Sequence, residues 1–233
     1  ISEAAPGQFE VTLAHQDALK AADDAMLFKH MAKGLARKWN MRASFMAKPD
    51  AGQSGNGMHV HFSVMRGDQN IFDDGGESGS DALRHAVAGC LNAMRGSTLL
   101  FAPHANSYTR LLPGAHAPTG IGWGYENRTV ALRIPKSPPK ARRIEHRVAG
   151  GDINPYLLLT AILGAAHVGL HDKVSPPAQI TGNAYAHTLP PLAEDWVTAI
   201  NLVETDKTMA HMIPHPLLDM PTTNKTPDLP QAA

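Results

Sequence analysis

Two histidines and a serine alternate with apolar residues directly after a glycine-rich loop at residues 50–57. Because side chains on a strand alternate between its two faces, the pattern places His59, His61 and Ser63 on one face. An imidazole on such a face can join carboxylates in binding a metal ion. Solvated surface histidines would show the same alternation, but the adjoining Lys48 and the glycine-rich loop favour a binding site.

A second strand with charged side chains is predicted at residues 143–148. It places Arg143, Glu145 and Arg147 on one face, so that two guanidiniums flank a carboxylate. This arrangement suits anion binding beside a metal ligand, although a structural ladder of ion pairs has the same local pattern. Residues 103–150 contain eight Lys or Arg and only two acids. This local excess favours a polyphosphate substrate, which needs several convergent cations.

Two carboxylates, Glu3 and Glu10, bracket a turn that contains Pro6 and Gly7. Carboxylates at the two ends of a turn can converge on one divalent cation, and hard oxygen ligands favour magnesium or manganese over zinc. Solvated surface charges would look the same in the sequence. The prediction of a site therefore depends on a fold that brings the three segments together.

The elements that must position these residues follow from hydrophobic periodicity. Helices are predicted at residues 17–40, at 81–95 with Ser80 as N-cap, from Asn154 and Pro155 to about residue 171, and at 192–204. Strands are predicted at residues 8–15, 43–48, 58–65, 129–134 and 143–148, and residues 103–124 are predicted to be mostly loop.

Composition narrows the class of protein. The chain has 233 residues, 43% of them hydrophobic, and a formal net charge of zero, which suits one large domain or one domain with an appendage and disfavours a nucleic-acid binder. The single cysteine, Cys90, rules out an internal disulfide framework and fits a reducing cytoplasm. The longest apolar run, residues 156–170, is interrupted by Gly164 and His167, so we expect no membrane span. Because the sequence begins at Ile1, we expect a fragment.

In their order along the chain, these segments resemble the catalytic domain of the glutamine synthetase family. The resemblance rests on residues 3–10 (EAAPGQFE), 48–49 (KP), 55–63 (GNGMHVHFS), 106–114 (NSYTRLLPG), 126–135 (ENRTVALRIP), 140–147 (KARRIEHR) and 154–156 (NPY). It implies an α+β fold in which an antiparallel sheet forms one wall of an active-site funnel and helices pack behind it. Residues 1–175 would form this domain, and 176–233 a poorly matched C-terminal extension with a disordered tail.

The resemblance also implies an activity. The protein would be an ATP-dependent ligase that forms an amide at the γ-carboxyl of glutamate through γ-glutamyl phosphate, with Mg²⁺ or Mn²⁺ as cofactor. Ammonia or an organic amine would be the third substrate. The complete enzyme would be a cytoplasmic, ring-type homo-oligomer with no nucleic-acid or membrane partner.

Residue by residue, the matching positions divide into four groups. The metal ligands would be Glu3, Glu10, His59 and Glu145. The ATP-binding residues would be His61, Ser63, Arg128, Arg133, Lys140 and Arg143. The glutamate-binding residues would be Gly55, Arg110 and Arg147. The catalytic residues would be Arg128 and His116.

Three departures from the family pattern keep alternatives open. The family's other metal carboxylates and a small N-terminal domain lie upstream of Glu3. Residues 54–57 read SGNG where glutamine synthetases usually have NGSG, and His116 stands where they carry a glutamate that binds ammonium. The protein could therefore ligate ammonia, ligate a larger amine such as a polyamine, or be an inactive fragment or pseudoenzyme. We expect the 233-residue chain alone to be inactive.

Overall fold

A computed structural model of the protein describes residues 1–112, 117–206 and 209. In this part of the chain the helices are α1 (Ala18–Lys38), α2 (Asp81–Met94), α3 (Thr98–Phe101), α4 (Pro155–Asp172) and α5 (Trp196–Thr205). The strands are β1 (Val60–Phe62), β2 (Met65–Arg66), β3 (Gln69–Asn70), β4 (Trp123–Tyr125), β5 (Leu132–Ile134) and β6 (Ile144–His146). Short 3₁₀ turns span Ala105–Arg110, Pro139–Ala141 and Ala184–Ala186.

The main sheet has the strand order β1-β6-β5-β4. Strand β6 pairs antiparallel with both β1 and β5, whereas β4 pairs parallel with β5. The predicted α+β class is confirmed, and the one parallel pair makes the sheet mixed. A separate hairpin joins β2 and β3 through a turn in which Gly67 has a φ of 59°.

Helices α2 and α4 form the layer behind the sheet, and both begin as predicted. The Ser80 hydroxyl accepts a hydrogen bond from the Leu83 N–H at 3.2 Å, which confirms it as the N-cap of α2. The Asn154 side chain accepts from the Tyr156 and Leu157 N–H groups, and Pro155 occupies the first turn of α4. These caps fix where each helix starts relative to the sheet.

Two glycines let the backbones of α2 and α4 touch. A Cβ added to Gly89 would lie 2.1 Å from the carbonyl oxygen of Ala165, and one added to Gly169 would lie 2.2 Å from that of His85. Apolar residues from both helices, from α3 and from the sheet form one buried core around this contact, including Leu83, Leu99, Leu132, Ile134, Ile144, Leu158 and Ile162. The charged face of the sheet points away from this core.

Two of the predicted strands are absent. Residues 8–15 pair only through an isolated bridge between Ser2 and Phe9, and the side chains of Phe9 and Val11 are 73% and 54% exposed. Alternation alone does not make a strand, because each strand needs a neighbour to satisfy its backbone groups. Residues 43–48 are also not a strand: side chains satisfy their backbone instead, as when the Lys48 N–H donates to Asn106.

The predicted loop at residues 103–124 contains the start of β4, which forms because β5 offers it a parallel partner.

The segment after residue 175 packs on the same core: the Ile180 N–H donates to the Trp123 carbonyl at 2.8 Å, and Ala199 of α5 is fully buried. The domain boundary at residue 175 stays a prediction, and the predicted disordered tail lies outside the described residues. In the described ranges, no helix is long and apolar enough to span a bilayer.

Candidate active site

Three polar side chains lie side by side on the outer face of the main sheet. His61 of β1 is paired with Glu145 of β6, and Glu145 is paired with Arg133 of β5. Val60 and Phe62 flank His61 in β1 and are buried, while His61 is exposed. The predicted alternation in this strand is therefore confirmed. Sheet register therefore joins the two charged strands predicted from the sequence.

Glu145 is the centre of an ion-pair cluster, with its side chain only 3% exposed. Its Oε2 accepts from Nη1 of Arg133 at 2.8 Å, and its Oε1 accepts from Nη1 of Arg147 at 2.5 Å. Nδ1 of His59 lies 3.3 Å from the same Oε1. Burial by itself would raise the pKa of Glu145, but the positive charge of Arg147 and the other partners lowers it below its usual value. The carboxylate is therefore ionised at neutral pH.

The two histidines of this face are neutral at physiological pH. Burial, together with the nearby Arg147, lowers the pKa of His59 to about 4, although Glu145 opposes the shift. Burial also lowers the pKa of His61, whose Nδ1 accepts a hydrogen bond from Nε of Arg143 at 3.2 Å. A neutral imidazole has a free lone pair, which is the form that binds a metal ion.

The carboxyl groups of Glu3 and Glu10 meet, as the turn between them predicts. The Glu3 N–H donates to the Gln8 carbonyl at 3.0 Å, and Gly7 turns the chain with a φ of 73°. A side-chain hydrogen bond with Glu3, together with burial, raises the pKa of Glu10, while the positive charge of Arg128 opposes the shift. Two neighbouring carboxyls resist ionising together, and a divalent cation bound between them would relieve that repulsion.

The donor set of these two pairs fits a magnesium-like ion. Within the described residues, no three His, Cys, Asp or Glu side chains converge on one point. The pair Glu3–Glu10 and the pair His59–Glu145 thus offer two protein ligands each. Mg²⁺ commonly takes one or two carboxylates and fills its other positions with water and substrate phosphate oxygens.

Arg110 is buried against the glycine-rich loop, with 4% of the residue exposed. Its Nη1 donates to the Val148 carbonyl at 2.7 Å, and burial lowers its pKa to about 10. A Cβ on Gly55 would lie 2.9 Å from Cγ of Arg110, and one on Gly57 would lie 2.7 Å from its Nη2. Glycine at both positions is therefore what lets the arginine side chain pass.

Gln8 ties the Glu3–Glu10 turn to this loop. Its Nε2 donates to the Gly55 carbonyl at 3.0 Å and to Oδ1 of Asn56 at 2.8 Å. Gln8 was not predicted as a site residue, because its role depends on a contact between segments far apart in the chain.

Comparison with known proteins assigns the family. The family model described as "Glutamine synthetase, catalytic domain" matches residues 1–231. The chain belongs to the glutamine synthetase family. The resemblance found in the sequence motifs is thereby confirmed.

The chain is similar to several enzymes whose names give different products. Gamma-glutamylputrescine synthetase PuuA of Escherichia coli is 44% identical over 78% of this chain and 39% of its own length. Gamma-glutamylethanolamide synthetase GlnA4 of Streptomyces coelicolor is 39% identical over 90% of this chain and 47% of its own length. Glutamine synthetase of Pyrococcus abyssi is 39% identical over 78% and 42%, respectively.

Two solved structures have a fold similar to that of this chain. Apo GmaS without ligand matches with a TM-score of 0.78 and 32% identity, over 87% of this chain and 48% of that chain. A GmaS/ADP complex matches with a TM-score of 0.78 and 31% identity. The chain spans less than half the length of each of these relatives and structures.

Not every residue matched to a glutamine synthetase role joins the Glu145 cluster. Ser63 is half-buried just after β1, and Lys140 is exposed in the 3₁₀ turn before β6. In the described part of the chain, neither side chain makes a hydrogen bond to Glu145. Arg128 is exposed and its positive charge acts on Glu10, and His116 lies outside the described residues.

Glu126 was not predicted as a site residue, yet it contacts the cluster. Its Oε1 accepts a hydrogen bond from Nη2 of Arg133 at 3.2 Å. It lies just beyond β4, whose strand and parallel pairing the sequence pattern did not reveal. The signals in the sequence were that Glu126 is one of two acids in a basic stretch and that it begins the motif at residues 126–135.

Proposed function

We propose that the whole protein is an ATP-dependent ligase that forms an amide at the γ-carboxyl of glutamate. The observation that carries the proposal is the buried Glu145 carboxylate, held between Arg133 and Arg147 with His59 at 3.3 Å. A glutamine synthetase family member needs such a centre to bind a cation and the phosphates beside it. The activity belongs to the whole protein, since the chain spans less than half of its relatives.

The proposed binding roles follow the grouping in space. Glu3 with Glu10, and His59 with Glu145, would hold Mg²⁺ or Mn²⁺, which supply positive charge to the phosphate oxygens. The triphosphate of ATP would lie along the exposed polar face, against His61, Ser63, Arg133, Lys140 and Arg143. Glutamate would lie between Arg110 and Arg147, next to Gly55.

The reaction then has two steps. An oxygen of the γ-carboxylate attacks the γ-phosphorus of ATP, the bond to ADP breaks, and γ-glutamyl phosphate forms. The amine nitrogen attacks the acyl carbon, and phosphate leaves with that oxygen while a base takes the amine proton. Arg128 and Arg133 stabilise the negative charge that the transferring phosphoryl group develops. His116 is the proposed base on sequence grounds.

A second candidate concerns the amine, which could be larger than ammonia. A histidine side chain carries no negative charge, so His116 offers ammonium no anion but can still accept a proton. A longer amine gains affinity from contacts along its chain, and PuuA and GlnA4 carry putrescine and ethanolamide in their names. The proposal is that an organic amine is preferred.

The test compares kcat/KM of the whole protein for ammonia, putrescine, spermidine and ethanolamine, with ATP and glutamate present. ADP release that requires both glutamate and an amine supports the ligase, and Glu145→Gln should abolish it with every amine. ADP release that does not need glutamate refutes it. If no amine supports turnover, the pseudoenzyme alternative replaces the ligase.

The same experiment separates the two amine candidates. Preference for an organic amine, moved toward ammonia by His116→Glu, supports the second candidate. If ammonia has the highest kcat/KM, glutamine synthesis is the function.

We also propose a cellular compartment and an oligomeric state for the whole protein. We place the whole protein in the cytoplasm because Cys90 is a free thiol, as is usual in a reducing compartment. We also propose a ring-type homo-oligomer, as the family resemblance implies. Sedimentation velocity of the whole protein tests the assembly: a single monomeric species would contradict it.

A further inference from the structure

Glu126 ends β4 in an unusual backbone conformation. Its φ is 51°, a left-handed value that non-glycine residues seldom adopt. The backbone N–H of Glu126 donates to the Ile134 carbonyl at 3.0 Å, which holds this turn against β5. The turn directs the carboxylate onto β5, where its Oε1 accepts from the Lys136 backbone N–H and from Arg133.

Arg133 is thus shared by two carboxylates. Its Nη2 lies 3.2 Å from Glu126 and its Nη1 lies 2.8 Å from Glu145. The Arg133 side chain is 15% exposed, the Glu145 side chain 3% and the Glu126 side chain 51%. The guanidinium therefore spans the boundary between the buried proposed metal ligand and the surface.

Both oxygens of Glu145 already have donors. Arg133 occupies Oε2, while Arg147 and His59 lie at Oε1. A divalent cation at Glu145 needs one of these oxygens and repels a guanidinium beside it. The cation also offsets the negative charge of Glu145, so Arg133 is held less strongly at Oε2 and needs another negative partner.

We propose that Glu126 is a positioning residue that holds Arg133 while Glu145 and His59 bind a divalent cation. The inference rests on the proposed cation site and adds a role for a residue outside it. Glu126 already accepts one hydrogen bond from the guanidinium. A small shift of Arg133 therefore exchanges its ion pair with Glu145 for a full ion pair with Glu126. Held there, Arg133 faces the exposed side of the cluster, where the phosphates of ATP would arrive.

This role predicts that Glu126 affects cation binding although it does not contact the cation. Removing its charge leaves Arg133 paired with Glu145 in the empty site but without a carboxylate partner in the loaded site. The empty state is then favoured, and cation affinity falls. When ATP is bound, its phosphates replace Glu126 as the partner of Arg133, and the effect should shrink.

The experiment measures Mn²⁺ binding to the whole protein by electron paramagnetic resonance, with and without ATP. Glu126→Gln should weaken binding about fivefold without ATP, as expected for loss of one partly exposed ion pair, and less with ATP. Glu194→Gln removes the same charge from another exposed residue and should leave binding unchanged. Circular dichroism checks that each variant is folded; if Glu126→Gln is not, Glu126→Asp, whose shorter side chain withdraws the carboxylate, should show the same direction.

A double-mutant cycle separates positioning from simple charge attraction. In an Arg133→Gln background, Glu126→Gln should have no further effect on Mn²⁺ affinity. The inference is overturned if Glu126→Gln weakens binding equally in both backgrounds, or if it has no effect in the parent. Glu145→Gln tests the proposed site independently: if it does not weaken Mn²⁺ binding, the cation site itself is wrong.

Discussion

Nδ1 of His59 lies 3.3 Å from Oε1 of Glu145, although the two residues belong to segments far apart in the chain. The pairing of β1 with β6 brings them together; burial keeps the imidazole neutral, and the positive charge of Arg147 keeps the carboxylate ionised. A neutral nitrogen and an anionic oxygen at this separation form half of a cation site.

Glu145→Gln should remove the effect of metal and nucleotide on stability. Ligand at about 100 times its dissociation constant stabilises the folded state by roughly 2.7 kcal/mol. Thermal melts of the whole protein with and without Mg²⁺ and ATP should therefore differ for the parent and nearly coincide for the variant. Glu194→Gln should behave like the parent. Equal ligand-induced shifts in all three proteins would show that Glu145 is not a ligand.

Gly55→Ala should displace Arg110 and impair the use of glutamate. The added Cβ would meet the Ala47 carbonyl oxygen at 2.6 Å as well as the arginine side chain, and the backbone oxygen cannot easily move. Displacement of a substrate-binding group by about 1 Å can lower activity on the order of 100-fold. Steady-state kinetics of the whole protein should show this loss in kcat/KM for glutamate.

Gly52→Ala is the matched control for that loop. Its Cβ would make only an ordinary 3.5 Å contact with Asp50, so the kinetics should stay those of the parent. If Gly55→Ala and Gly52→Ala have the same kcat/KM for glutamate, the close approach between Gly55 and Arg110 does not matter for the substrate.

Gly89→Ala should destabilise the fold. Its Cβ would come within 2.1 Å of the Ala165 carbonyl oxygen, so α2 and α4 would have to separate. Overpacking of this kind typically costs about 1–3 kcal/mol, and we expect the upper end because the contact is with backbone. Urea unfolding monitored by circular dichroism measures the free energy of unfolding.

Gly34→Ala is the control for that substitution, since Gly34 lies in α1 with nothing within 4 Å of its added Cβ. Alanine is favoured over glycine in a helix by about 1 kcal/mol, so this variant should be slightly more stable than the parent. If Gly89→Ala were as stable as the parent, the close packing of the two helices would be contradicted.

Cys90 should be chemically inert in the folded protein. Burial raises the pKa of its thiol to about 12, and only 2% of the residue is exposed. Since the thiolate is the reactive form, Ellman's reagent at pH 8 should react only after unfolding in guanidinium chloride. Rapid stoichiometric reaction of the native chain would show that the α2 core opens.

Hydrophobic periodicity predicted the helices better than the strands. Ser80 and Asn154 mark helix starts through short-range bonds that the sequence alone specifies. Residues 8–15 have a strand pattern but pair only through the bridge between Phe9 and Ser2 in the described residues, whereas β4 has little pattern and forms because β5 lies beside it. Strand formation depends on a partner that local sequence does not contain.

The same distinction applies to the candidate site. The alternation around His61 and Glu145 correctly predicted which side chains share a face, because that depends only on strand geometry. The contacts of Gln8 with Gly55 and of Glu126 with Arg133 could not be predicted, because each joins segments whose relative position the sheet determines. The roles assigned to the site residues stay predictions until binding and kinetics test them.

The most direct test of the ligase follows one oxygen atom. Glutamate labelled with ¹⁸O in its γ-carboxylate is turned over by the whole protein with ATP and an amine, and the released phosphate is analysed by mass spectrometry. If γ-glutamyl phosphate forms, each phosphate released with an amide carries one oxygen from the glutamate carboxylate. Phosphate that carries no ¹⁸O, released at the same rate as the amide, would contradict the proposed reaction.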